Sequence, residues 1–220
     1  MLAMTTEAML QLGILIITLS LFFIMHTIRS QTTQTRTRTR NKNRPPEPNR
    51  HLIQASRHLA RARSTSHRAQ HAKSAIMEID KALSIWPRDP WAHILRAQAQ
   101  DLMGHRIAAI KSLDAALSSP AAKSLSAEER ADALVRRAEM KVGVNRRRRV
   151  ESAIEDLVEA VEVDERKGSE WEVMCLLGKC YEWKGMKEEA TDAFQKVLQV
   201  HPHSEEARDS LHRLGLFTDK

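Results

Sequence analysis

The sequence predicts an all-α chain: a solenoid of helical hairpins carried behind one N-terminal transmembrane helix. Three observations lead there. The 220 residues are poor in sheet-forming material, with aromatic side chains at 4% and a single tyrosine, Tyr181, whereas strands favour β-branched and aromatic residues. The chain draws instead on Ala, Leu, Glu, Lys and Arg, the better helix formers. Residues 8–28 form an uncharged apolar run, taking His26 as neutral. From about residue 51 the apolar positions recur with helical period, in units of roughly 34 residues. The length suits one domain with extensions.

The apolar run comes first. Leu12 to Met25 contains ten Leu, Ile or Phe residues, and 21 residues of helix extend ~31 Å, about one bilayer core. Those side chains favour membrane insertion by on the order of 3–6 kcal/mol at central depth. A cleaved signal peptide would begin with positive charge and end on small residues; this run has neither, ending Phe23-Ile24-Met25-His26-Thr27. A transit peptide would be amphipathic and Arg-rich, a character found only in the Thr/Arg stretch that follows. A buried core helix is the structural alternative, but no core lies within reach of a run this long. Residues 8–28 are therefore expected to be an anchor. Arg29, Arg36, Arg38, Arg40, Lys42, Arg44 and Arg50 follow it, and only Glu7 precedes it. The positive-inside rule places everything after residue 28 in the cytosol.

Residues 29–50 are expected to be a basic, disordered linker, ending in Pro45-Pro46-Glu47-Pro48. Its charge suits anionic lipid headgroups. This segment also distorts the overall balance of +7. Residues 26–70 hold eleven Lys and Arg against one acid, Glu47, while residues 71–220 hold 24 basic against 26 acidic residues. The repeat region is near neutral, and no nucleic-acid partner is expected of it, since such domains carry positive charge on the folded surface.

The repeats occupy 51–216. The clearest unit, 171–204, reads Met174-x2-Leu177-Gly178-x2-Tyr181, then Gly185, Ala190-x3-Phe194, Val197 and Pro202. It resembles the tetratricopeptide (TPR) repeat, W-x2-L-G-x2-Y…A-x3-F…P, with Met in place of Trp and Val in place of a small residue. The same ruler finds units at 56–89 (Leu59, Ala75, Ile79, Ala82, Pro87), 90–123 (Ala97, Gly104, Ala109, Leu113, Ala116) and 131–167 (Leu134, Ala138, Ala153, Leu157, Ala160). The third of these, 131–167, needs three extra residues, expected in its turn, and ends on Glu165 instead of proline. Residues 205–215 are expected to form a capping helix with Ala207, Leu211 and Leu214. Small residues let paired helices approach and larger ones fill the space between pairs. Gly104 and Gly185 stand where a positive φ ends the first helix, and a single pair cannot bury its own apolar face.

The TPR resemblance implies a groove lined by the first helix of each pair. By that register the lining includes Arg57, Ala60 and Ser64; Trp91, Ile94 and Gln98; Asp132, Val135 and Glu139; Glu172, Cys175, Lys179 and Glu182. Trp91 is the candidate anchor for a partner peptide, since aromatic residues dominate binding hot spots, although it is equally placed to pack on the preceding repeat. One TPR subclass clamps the C-terminal carboxylate of heat-shock chaperones with Lys and Asn, then Asn, then Lys and Arg. The corresponding positions are Ala60 and Ser64, Leu95, and Asp132 with Arg136, so no chaperone-tail clamp is expected. Arg146, Arg147, Arg148 and Arg149 form the densest charge run, read as a solvated loop or a contact for an acidic partner or membrane surface.

Little in the sequence points to chemistry. Cys175 and Cys180 lie about 140° apart around one helix, too divergent for a disulfide, and read as one core thiol and one bystander. His67 and His71 are a weak metal pair without a third ligand. No phosphate loop, nucleophile elbow or acid pair is present, and no enzyme activity or cofactor is expected. Two functional expectations follow. One is a membrane-tethered adaptor that recruits protein partners through its groove; its layout is similar to TPR receptors of mitochondrial and plastid outer membranes and to endoplasmic-reticulum co-chaperones. The other is a soluble assembly factor imported into an organelle, its N-terminal segment removed.

Overall fold

The computed structural model describes residues 46–118 and 120–215, and among these residues it contains helices and turns without any strand. The helices are α1 (Pro46–Ser64), α2 (Arg68–Ile85), α3 (Pro90–Leu102), α4 (Arg106–Leu117), α5 (Ala127–Val163), α6 (Trp171–Lys184), α7 (Lys187–Val200) and α8 (Glu205–Arg213). Short 3-10 turns at Ala121–Ser124 and Glu165–Ser169 flank α5.

Local chemistry sets the ends. Asp89 caps α3 by accepting from the Trp91 N–H at 3.0 Å, with Pro90 at the first helical position, where its missing donor costs nothing. Ser126 and Glu129 form a reciprocal capping box on α5. Gly104 and Gly185 end α3 and α6 with φ of 80° and 85°. That left-handed turn lets the next residue's N–H reach back, His105 to the Gln100 carbonyl at 2.8 Å and Met186 to the Tyr181 carbonyl at 2.9 Å.

Packing runs from one hairpin to the next. Leu52, Ala55 and Leu59 of α1 meet Ala75 and Ile79 of α2 and Ala92 and Leu95 of α3. Ile94 and Ala97 then meet Leu113 of α4 and Ala133 and Met140 of α5. The largest cluster joins Leu157 of α5, Val173 and Leu177 of α6, Phe194 of α7 and Leu211 of α8. Each apolar stripe is covered by the neighbouring pair, which is how a solenoid buries area without a single central core.

Three expectations are corrected. Helix α1 already begins at Pro46, inside the stretch expected to be linker; proline is tolerated in a first helical turn. The extra residues of the third pair form no loop. Helix α5 runs on to Val144, is broken at Asn145 alone (φ −156°, ψ 90°), and resumes. The Asn145 side chain accepts from the Arg148 N–H at 3.1 Å and so caps the second half.

The third correction concerns location. No described helix is long and apolar enough to cross a membrane, because the apolar stripes are covered by neighbouring helices and the other faces are charged, as with Arg50, Arg57, Arg61 and Arg63 of α1. The expected placement as a single-pass membrane protein with cytosolic repeats is overturned on this ground. The run 8–28 and residues 29–45, which include the anchor and most of the expected lipid-facing flank, lie outside the described residues.

Candidate functional site

The first helices of successive pairs (α1, α3, the first half of α5, and α6) and the final helix α8 lie side by side in one layer. Arg63 of α1 donates to the Gln98 amide oxygen of α3 at 3.0 Å. Arg213 of α8 donates through Nε and Nη2 to the Glu182 carboxylate of α6 at 3.0 and 3.1 Å. Lys179 of α6 pairs with Glu206 of α8. This layer holds the positions that the sequence register assigned to a groove.

A pocket of about 340 Å³ lies between α1 and α3, lined by Leu52, Ile53, Ser56, Arg57, Ala60 and Trp91. Trp91 is half-buried and also rests on two of the core clusters. The packing role foreseen for Trp91 is met, and the same indole lines this pocket. Ile53 is 50% exposed, and Arg57 adds a cation to the lining. The α1 wall formed by Leu52, Ile53 and Ser56 was missed in the sequence. The repeat ruler starts at residue 56, and the signal that would have found it is the apolar spacing Leu52-x6-Leu59.

The other candidates divide. Ile94 is 4% exposed and belongs to the core beneath the groove, so it has no surface for a ligand. Gln98 is half-buried and already held by Arg63. Val135 is half-buried between core clusters. Glu139 keeps exposed surface, yet desolvation holds its carboxyl above the ordinary value, with Arg136 opposing and Asp101 adding to the shift. Lys179 is half-buried and engaged by Glu206. Arg57, Ala60, Ser64 and Glu172 are exposed, and Asp132 pairs with Lys167 at 2.7 Å.

Arg146–Arg149 lie in the first turn of the second half of α5. Arg146, Arg147 and Arg148 are exposed and Arg149 half-buried. The loop reading of this run is corrected: it is helical.

Cys175 and Cys180 are both buried, which corrects the reading of one as a bystander. Burial pushes each up to about 12, helped at Cys175 by Glu206, whose carboxylate lies 3.2 Å from its Sγ. His67 stands at the start of α2, while His71 packs beside His58 with ring centroids 6.3 Å apart. Among the described residues no three His, Cys, Asp or Glu side chains are grouped to hold a metal ion.

No protein-family model matches the chain, and no curated protein matches it. Solved structures do resemble it. A crystal structure of MamA protein aligns with TM-score 0.60 at 16% identity, covering 77% of this chain and 83% of that one. YrrB, described as a TPR protein with an unusual peptide-binding site, aligns with TM-score 0.55 at 20% identity, covering 72% and 77%. A chain of the APC/C hetero-tetramer Cut9–Hcn1 aligns with TM-score 0.57 at 14% identity, covering 74% of this chain and 29% of that one. At these identities the likeness establishes the fold, an all-α solenoid of the TPR type.

Proposed function

We propose that this TPR-type solenoid is a protein-interaction module that takes a peptide segment of a partner protein along the layer of first helices. The observation that carries the reading is the pocket between α1 and α3, with Trp91 as its aromatic wall and Arg57 as a cation in its lining. A large apolar side chain of the peptide fills that pocket, and an acidic neighbour faces Arg57. Glu139, further along the layer, favours a basic residue, which would relieve its desolvation. Val135 lies between, while Gln98 and Lys179, already engaged with Arg63 and Glu206, frame the path rather than grip the ligand.

The YrrB structure shows that this fold carries a peptide-binding site in at least one protein; the position of the site here rests on this chain's own residues. A synthetic peptide array probed with the full chain tests it. Captured peptides should carry a large apolar residue beside one acidic residue, with a basic residue further along for Glu139, and Trp91→Ala should weaken them about tenfold or more, as for a central aromatic anchor. Lys196→Ala, an exposed change on α7, should leave them unaltered. Capture indifferent to Trp91 would refute the groove.

A further inference from the structure

We infer that the edge of the solenoid where first helices turn into second helices is a separate docking site, for an acidic stretch of a partner protein held by Arg146–Arg149. Three turns meet there. Arg106, at the start of α4, donates to the Gly143 carbonyl of α5 at 3.3 Å. Arg146 lies over the Trp183 ring of α6, 4.8 Å from its centroid. Lys184 reaches the Glu151 carboxylate at 2.6 Å. The edge is therefore continuous from α3 to α6.

The charges on it are not matched. Asp101 is held by Arg106 at 3.8 Å and Glu151 by Lys184. Among the described residues Arg146, Arg147, Arg148 and Arg149 have no carboxylate partner. Four cations also sit on the first turn of a helix segment, where the backbone dipole is itself positive and favours anions. The dipole disfavours cations at that place, an anion covering them relieves this, and the guanidinium fork matches carboxylate geometry. Beside it lies an open pocket of about 400 Å³ lined by Gly104, His105, Arg106, Ile107, Ala108 and Lys111, in which Ile107 is 57% exposed. The occupant that fits is a short run of Asp and Glu beside one large apolar residue. A nucleic acid fits less well. Residues 71–220 hold 24 basic against 26 acidic residues, so a long polyanion leaving the cluster meets repulsion, including from the exposed Glu188 and Glu189.

Fluorescence anisotropy with the full chain tests this, using a labelled peptide of glutamates flanking a single leucine and the same peptide with Gln for Glu. The glutamate peptide should bind and the glutamine peptide should not. The combined change Arg146→Gln, Arg147→Gln, Arg148→Gln should weaken binding about tenfold or more. Arg36→Gln, Arg38→Gln, Arg40→Gln should change it less than about twofold, and so should Trp91→Ala, which separates this edge from the groove. Equal loss from the 36–40 variant, or tighter binding of a mixed-sequence single-stranded RNA than of the glutamate peptide, overturns the proposal. Circular dichroism of each variant verifies that the helices persist.

Discussion

Gly178 shows at the residue scale how the repeat motif works. A Cβ at this position would stand 3.0 Å from two ring atoms of Phe194, which is fully buried and has nowhere to move. Adding a methyl favours the helix intrinsically by ~1 kcal/mol, while overpacking a tight core costs about 1–3 kcal/mol. The clash wins here, because the ring is held on all sides by the largest cluster. Gly178→Ala is expected to lower stability by up to about 2 kcal/mol in denaturant melts; a raised midpoint would show α6 and α7 to be further apart. This contact was legible in the sequence, since Leu177-Gly178 and Phe194 fall at fixed offsets of the repeat. The polar network around Asp156 was not. That carboxylate is 4% exposed and receives Arg137 at 2.6 and 3.0 Å and Lys141 at 2.7 Å. It joins the two halves of α5 through charges that follow no apolar period, so pattern reading passes over it.

At the scale of elements, α5 and α8 depart most from the plain repeat. Within 127–163 the link between first and second helix contains no proline, and Gly143 is its one glycine. A turn was inferred there from register alone, and its inserted residues lengthen the first helix instead, with Asn145 the sole break. Helix α8 closes the stack with Ala207 and Leu211 buried and Glu206 paired with Lys179 of α6. Hydrogen bonding from Lys179, then from Cys175, holds the Glu206 carboxyl below the ordinary 4.5, against the opposing effect of burial. A depressed folded value means that the contact contributes stability fully above the unfolded value and loses it as pH falls through the folded one. Wild type should therefore exceed Glu206→Gln in thermal midpoint near neutral pH, with the gap closing below 4.5. A gap independent of pH would show that Glu206 acts through packing alone.

Across the whole molecule, stability is a sum of neighbouring-pair contacts, and the side chains left over set what the solenoid can bind. The apolar clusters were readable because helical period and repeat offset report them together. The pocket at α1 and α3 was readable only in part: Trp91, Arg57 and Ala60 fell in register, but its outer wall belongs to a turn of helix that precedes the first repeat unit. Glu139 was placed by register, while its desolvation arises from neighbours that sequence spacing does not bring together. The central claim is that partner peptides lie along the first helices. Hydrogen exchange of the full chain, with and without a peptide selected on the array, tests that most directly. Slowed exchange is expected in residues 52–60 of α1 and 91–98 of α3, with α2, α4 and α7 unaffected. Protection confined to the second helices, or none at saturating peptide, would contradict it.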